Sequence, residues 1–247
     1  MSLKLYFSPG ACSFVPHSLL QLAGASFEPI MVKLHKGEQY GDEYQAINPR
    51  GQVPVLVDDG QVITQILAII LYLDQKFPEC LFLPTLPLER AKAIETLAWM
   101  NNTIHPTFTH IFMPHKFSDQ ADVQASLKIF NTQLYQRLLS ELEALVQTSA
   151  SPWLFGNNIG PVDAYALTLT RWGSIAGIDP STYPALWAHV QKVSADKAVG
   201  AVIEREREGQ RLACRPVNAF ARINRLATVF EEPQNCFVRV KIRRNIG

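Results

Sequence analysis

Leu3-Lys4-Leu5-Tyr6-Phe7-Ser8-Pro9-Gly10-Ala11-Cys12-Ser13 reads as a strand, a turn and the opening of a helix. Leu3 to Phe7 is short and mostly apolar, Ser8-Pro9-Gly10 supplies turn residues, and Ser13 begins a helical pattern that runs towards Gly24. Working outward, Phe27 to Leu34 is a second strand. Because a helix separates the two strands, they are expected to lie parallel in one sheet, as a βαβ unit. A loop at His35 to Tyr44 follows, and Asn48-Pro49-Arg50-Gly51-Gln52-Val53-Pro54 is a turn leading into the strand Val55 to Val57. Asp58-Asp59-Gly60 then marks a tight hairpin into Gln61 to Ile63. Gln65 to Lys76 is apolar on nearly every side, the pattern of a helix buried against a sheet and a neighbour.

Prolines at Pro78, Pro84 and Pro87 make the next stretch a stiff connection, where the domain boundary is expected. Helical periodicity then runs over Leu88 to Phe117, Ala121 to Gln147, Val162 to Ser174, Pro184 to Ser194 and Asp196 to Arg207. The expectation is an α/β domain over residues 1–80, an all-helical domain over 88–208 and a basic tail over 209–247. In the tail, Cys236 to Ile242 alternates as a strand would, and the segment reads as a disordered extension or the product of an altered reading frame, with a basic arm that contacts a partner as the alternative. Gly160-Pro161-Val162-Asp163 is a helix start with Gly at the cap and Asp at the third position.

Hydrophobic residues make up 47% of the 247 and the net charge is +1, which suits a globular chain with no general attraction to nucleic acid or anionic membranes. Ile66 to Leu73, the longest apolar stretch, falls far short of a bilayer span, so a cytoplasmic protein is expected. Cys12, Cys80, Cys214 and Cys236 lack metal-ligand spacing and are too few for a disulfide framework. Cys12 has a chemical setting of its own. At a strand-turn-helix junction, free backbone N–H groups and the helix dipole favour an anion, so a thiolate is expected there. A dithiol motif would need cysteine at position 15, which is Val15, so Cys12 requires an external thiol. Val53-Pro54 stands before a strand, where an X-Pro bond can be cis and leave the Val53 N–H and C=O for an extended peptide-like ligand.

Tyr6-Phe7-Ser8-Pro9-Gly10-Ala11-Cys12-Ser13 and Asn48-Pro49-Arg50-Gly51-Gln52-Val53-Pro54 together resemble the bacterial, cysteine-type (beta class) cytosolic glutathione transferases. Glu89-Arg90, Ile94-Glu95, His105, Phe108 and Phe112 fall at the spacing of that class along its first long helix. Gly156 and Val162-Asp163-Ala164-Tyr165 are similar to its folding motif, and the resemblance covers about residues 3 to 208. It implies a thioredoxin-like domain that binds glutathione, a helical domain that lines the hydrophobic co-substrate pocket, and a homodimer. By the same resemblance Cys12 is the catalytic residue beside the glutathione sulfur. Val53, with Gln52 and Pro54 in the same turn, meets the cysteinyl part; Gln65 and Ile66 meet the γ-glutamyl end; Lys36 approaches the glycyl carboxylate; and Asn102 joins the glutathione site. Ile66 has no hydroxyl where relatives carry Ser, a loss of about 1.5 to 3 kcal/mol for one hydrogen bond to a charged group. His105 and Phe108 are implied to line the co-substrate pocket, whereas His17 reads as structural.

The activity implied is transfer of glutathione to small hydrophobic electrophiles, a detoxifying conjugation, together with glutathione-dependent thiol–disulfide or peroxide reduction through Cys12. An ionised Cys12 favours the redox branch, because two adjacent thiolates repel. The rival from another class is a non-catalytic binding or scaffold protein of the same fold. Glutathione is the one co-substrate expected, without metal, nucleic acid or membrane.

Overall fold

The computed structural model describes residues 2–213. Cys214, Cys236, the alternating 236–242 stretch and the tail from 214 onward lie outside the described residues. The sheet comprises β1 (Leu3–Phe7), β2 (Glu28–Met31), β3 (Val55–Asp58) and β4 (Gln61–Thr64), in the order β2-β1-β3-β4. β1 and β2 run parallel, as the βαβ reading requires, while β1–β3 and β3–β4 are antiparallel. β2 is shorter than the expected 27–34 strand, because at this edge the chain leaves the ladder and Leu34–Lys36 curls into a 3-10 turn.

Side chains alternate across β1. Leu3, Leu5 and Phe7 enter the core shared with α1 (Phe14–Leu22) and α3 (Ile66–Lys76). Tyr6 points to the other face, where Val32, Tyr44 and Val55 form a smaller cluster with α2 (Asp42–Gln45). Phe14, Leu19, Ile69 and Ile70 are fully buried, each removing apolar surface worth about 1.5–3 kcal/mol.

The second layer contains α4 (Pro87–Trp99), α5 (His105–Phe112), α6 (Ala121–Thr148), α7 (Pro161–Ile175), α8 (Pro184–Ala195) and α9 (Lys197–Ala213). The expected single helix over 88–117 is in fact α4 and α5 joined by a π-helical turn at Met100–Ile104, and it stops at Phe112, two residues before Pro114. Pro106 lacks the N–H that would bond four residues back, and the wider turn accommodates that missing link. α9 extends past the expected Arg207, so residues 209–213 are helix and not tail. α7 is the central helix, buried along almost its whole length.

At its start Gly160 N–H donates to Asp163 Oδ2 at 2.8 Å, and Asp163 Oδ1 accepts from Leu154 N–H at 2.9 Å and faces His189 Nε2 at 2.8 Å. A Cβ on residue 160 would lie 2.8 Å from the Phe82 carbonyl oxygen, which explains why the cap is Gly here. The layers share one continuous core, and Arg90 on α4 reaches Asp74 on α3 at 2.7 Å. The fold is a thioredoxin-like α/β domain followed by an all-helical one. Among the described residues no helix is long and apolar enough to cross a membrane.

Candidate functional site

The Ser8–Ser13 loop carries Cys12 between β1 and α1. Ser13 closes its base: Ser13 Oγ donates to the Ser8 carbonyl and accepts from Ser8 N–H, both at 3.1 Å, so its hydroxyl is spent across the loop and does not cap α1. Gly10, at the tip, has φ +77°, a conformation suited to glycine. Both of its backbone polar groups are held by the helical domain. Gly10 N–H donates to Glu206 Oε2 on α9 at 2.8 Å, and Gly10 C=O accepts from Trp172 Nε1 on α7 at 2.8 Å.

Cys12 is 8% exposed, and its Sγ donates to the Val53 carbonyl at 3.7 Å. The expectation of a thiolate is overturned. Burial pushes the Cys12 thiol up to about 12, with the Glu206 charge adding to the rise; the backbone N–H groups of Cys12 and Ser13 oppose it without prevailing. The helix-start effect is thus present in the Cys12 and Ser13 amides, but it is outweighed by the burial of the sulfur.

The Val53-Pro54 bond is cis, and the Val53 carbonyl is engaged by the Cys12 thiol and not free. Gln52 has an exposed side chain, and its carbonyl is fixed by Tyr44 Oη at 2.7 Å and Asn48 Nδ2 at 2.8 Å. Gln65 occupies φ +72°, a strained region for a residue with a Cβ, costing roughly 1–3 kcal/mol, and its side chain is exposed at the start of α3. Ile66 turns its side chain into the core at 4% exposure, so its contribution to a ligand is confined to its N–H. Lys36 is exposed on the 3-10 turn, while neighbouring Lys33 is tied to Glu38 at 3.2 Å. Asn102 is exposed and accepts from Asn101 Nδ2 at 2.9 Å.

On the helical side His105 Nδ1 lies 2.9 Å from Tyr165 Oη, and its ring meets Trp172 edge-on. Burial lowers the His105 pKa to about 4, so the ring is neutral at physiological pH. Tyr165 is fully buried; burial first, then proximity to Cys12, holds its hydroxyl well above the usual range. Phe108 stacks between Trp172 at 4.8 Å and Phe112 at 5.5 Å, a column of rings leading outward from the Cys12 loop. It ends at an open hollow of about 350 Å³ lined by Phe108, Ile111, Phe112, Lys128 and Ile175. Phe108 therefore borders an opening, whereas His105 is enclosed among Tyr165 and Trp172.

The sequence did not point to Tyr165, Trp172 and Glu206 as neighbours of the Cys12 loop. Glu206 sits in the run Glu204-Arg205-Glu206-Arg207-Glu208, which reads as a solvated face, yet its three-and-four spacing from Val199 and Val202 places it on the buried stripe of α9.

The family model for the glutathione S-transferase N-terminal domain matches residues 1–75, and that for the glutathione S-transferase C-terminal domain matches residues 100–197. Glutathione S-transferase GstA of Escherichia coli O157:H7 is 33% identical over 196 residues, covering 78% of this chain and 92% of its own. A bacterial beta class glutathione S-transferase of Sphingomonas chungbukensis is a structural neighbour with a TM-score of 0.72 and 30% identity, covering 82% of this chain and 98% of that one. A sphingomonad glutathione S-transferase complexed with glutathione aligns with a TM-score of 0.72 and 31% identity, covering 83% of this chain and 98% of its own.

Proposed function

Because the chain belongs to the glutathione S-transferase family and is a glutathione transferase, we propose that it is of the cysteine-type beta class, with Cys12 holding the glutathione sulfur as a neutral thiol. The observation that carries this reading is the buried Cys12 thiol donating to the Val53 carbonyl at 3.7 Å. A glutathione sulfur arriving beside it would draw that single S–H away from the Val53 carbonyl and accept it in its place. Donation to that sulfur favours the glutathione thiolate, which attacks an electrophilic carbon to form a thioether. The proton lost by glutathione goes to solvent, and Cys12 keeps its own proton and oxidation state.

Conjugation is favoured over the reductive branch on this reading. Disulfide exchange needs Cys12 as a thiolate, and burial opposes that form. Gln65 and the Ile66 N–H would meet the γ-glutamyl end, Lys36 the glycyl carboxylate, and Gln52, Val53 and Pro54 the cysteinyl part. Asn102 lies at the margin of the glutathione site, and Phe108 with His105 stands between the sulfur and a hydrophobic co-substrate. Residues 1–80 are read as the glutathione-binding domain and 88–208 as the co-substrate domain of a cytoplasmic homodimer. Belonging to an enzyme family argues against the scaffold alternative.

The test pairs calorimetric titration of glutathione with mass spectrometry after glutathione disulfide treatment at neutral pH. Saturable binding with no glutathionyl adduct on Cys12 supports the donor role. Absence of binding at millimolar glutathione overturns the proposal, and an adduct on Cys12 turns it towards reduction.

A further inference from the structure

One hydroxyl near Cys12 has two neighbours competing for its proton. Tyr165 Oη on α7 lies 2.9 Å from His105 Nδ1 and 3.4 Å from Asn101 Oδ1. Both neighbours come from the break between α4 and α5, where His105 N–H reaches five residues back to the Met100 carbonyl. The widened turn hangs Asn101 and His105 over the same oxygen, and π-helical turns inside longer helices are frequent at functional sites. Asn101 Nδ2 donates to Asn102 Oδ1 at 2.9 Å, which leaves Asn101 Oδ1 facing Tyr165.

A tyrosine hydroxyl has one proton to give. Tyr165 is fully buried, so that proton is spent inside the protein, and burial together with nearby Cys12 keeps the hydroxyl protonated. By length the proton goes to His105 Nδ1, with Asn101 as the weaker second acceptor. A neutral imidazole that accepts at Nδ1 carries its own proton on Nε2. His105 is half-buried, and its Nε2 is not among the buried atoms left without a partner, so that N–H meets open space. The Trp172 ring packs edge-on against the imidazole at 4.6 Å and holds its plane.

We infer that Tyr165 and Asn101 are positioning residues that hold His105 as the Nε2–H tautomer, a neutral donor to the electrophile's oxygen as glutathione adds. The inference rests on the proposed conjugation. In that step the glutathione thiolate forms a C–S bond to the electrophilic carbon, and the displaced π electron pair moves onto a conjugated carbonyl oxygen. That oxygen accepts a hydrogen bond from His105 Nε2–H; His105 keeps its proton, and solvent protonates the carbon next to the carbonyl. A donor already in place where charge develops lowers the barrier without reorganisation. With its proton on Nδ1 the same ring would turn a lone pair towards the oxygen and oppose the step. The tautomer therefore decides whether His105 helps, and the hydroxyl of Tyr165 decides the tautomer.

The test is imidazole nitrogen NMR of the full chain labelled in histidine, with His105→Gln identifying the His105 signals, alongside conjugation of glutathione to an α,β-unsaturated ketone. The parent is expected to show Nε2–H at His105. Asn101→Asp puts a charged acceptor on the far side of Tyr165 Oη and draws the hydroxyl proton away. His105 should then become the Nδ1–H tautomer, with kcat falling about 10-fold or more at an unchanged KM for glutathione. Tyr165→Phe removes the hydroxyl, so the two tautomers should coexist and kcat should fall by less. An Nδ1–H signal in the parent overturns the inference, as does an Asn101→Asp protein that keeps Nε2–H or one that changes tautomer without losing kcat. A parent that binds no glutathione would instead sink the proposed function, since the tautomer is read without substrate.

Discussion

Two buried carboxylates in the helical domain make the same first contact and differ in everything after it. Asp163 and Glu206 each accept from a glycine N–H at 2.8 Å, and each faces a histidine. Asp163 is saturated: Gly160, Leu154 and His189 all lie within 2.9 Å of its oxygens. Glu206 leaves Oε1 without a hydrogen bond, 3.7 Å from His17. The first arrangement joins segments that are close in sequence and serves folding. The second joins residues 196 positions apart and ends beside a thiol. The difference teaches that a buried carboxylate is read by what its second oxygen lacks as much as by what its first one holds.

The largest effect should come from the saturated one. Asp163→Ala leaves buried N–H groups unpaired and is expected to cost about 3–5 kcal/mol in urea unfolding. A loss no larger than that of a surface substitution would erase the contrast. Next, Gly160→Ala places a Cβ 2.8 Å from the Phe82 carbonyl and should cost ~1–3 kcal/mol by the same measurement. Trp172→Phe removes one hydrogen bond to Gly10, about 1 kcal/mol of stability, yet it should change Cys12 alkylation more than Gly160→Ala does. Equal alkylation in the two variants would contradict the division between folding and positioning.

The smallest effect concerns His105. Its folded pKa, about 4, lies below the unfolded value of 6.5, so between these limits the unfolded chain binds the proton more readily. Its contribution to stability is therefore complete above the upper limit and falls as pH drops towards the lower one. Replacing His105 with Gln should flatten that part of the stability profile, which thermal unfolding across a pH series would show.

Local punctuation made the first domain legible. Ser8-Pro9-Gly10 and Asp58-Asp59-Gly60 mark turns that the structure keeps, and the helix between β1 and β2 requires their parallel pairing. Cys12 could be singled out because its neighbours in sequence form the junction. Its protonation could not, because it follows from burial in the tertiary fold and from the charge of Glu206 on α9, which local sequence does not report. The π-helical turn was not anticipated, because the overall period of the region looks like one helix, and Pro106 is the one residue there whose missing N–H could have marked the break. The Ile66 side chain lies in the core at 4% exposure, in keeping with its place in the apolar Gln65 to Lys76 stretch.

Conjugation on this reading depends on Cys12 acting as a hydrogen-bond donor to the glutathione sulfur. Turnover of glutathione with a small aromatic electrophile, compared between Cys12→Ser and Cys12→Ala, separates donor from nucleophile directly. A hydroxyl donates and cannot form a disulfide, so the serine variant should retain conjugation while the alanine variant loses about 100-fold or more in kcat/KM. Equal loss in both variants, or full activity in Cys12→Ala, would contradict it.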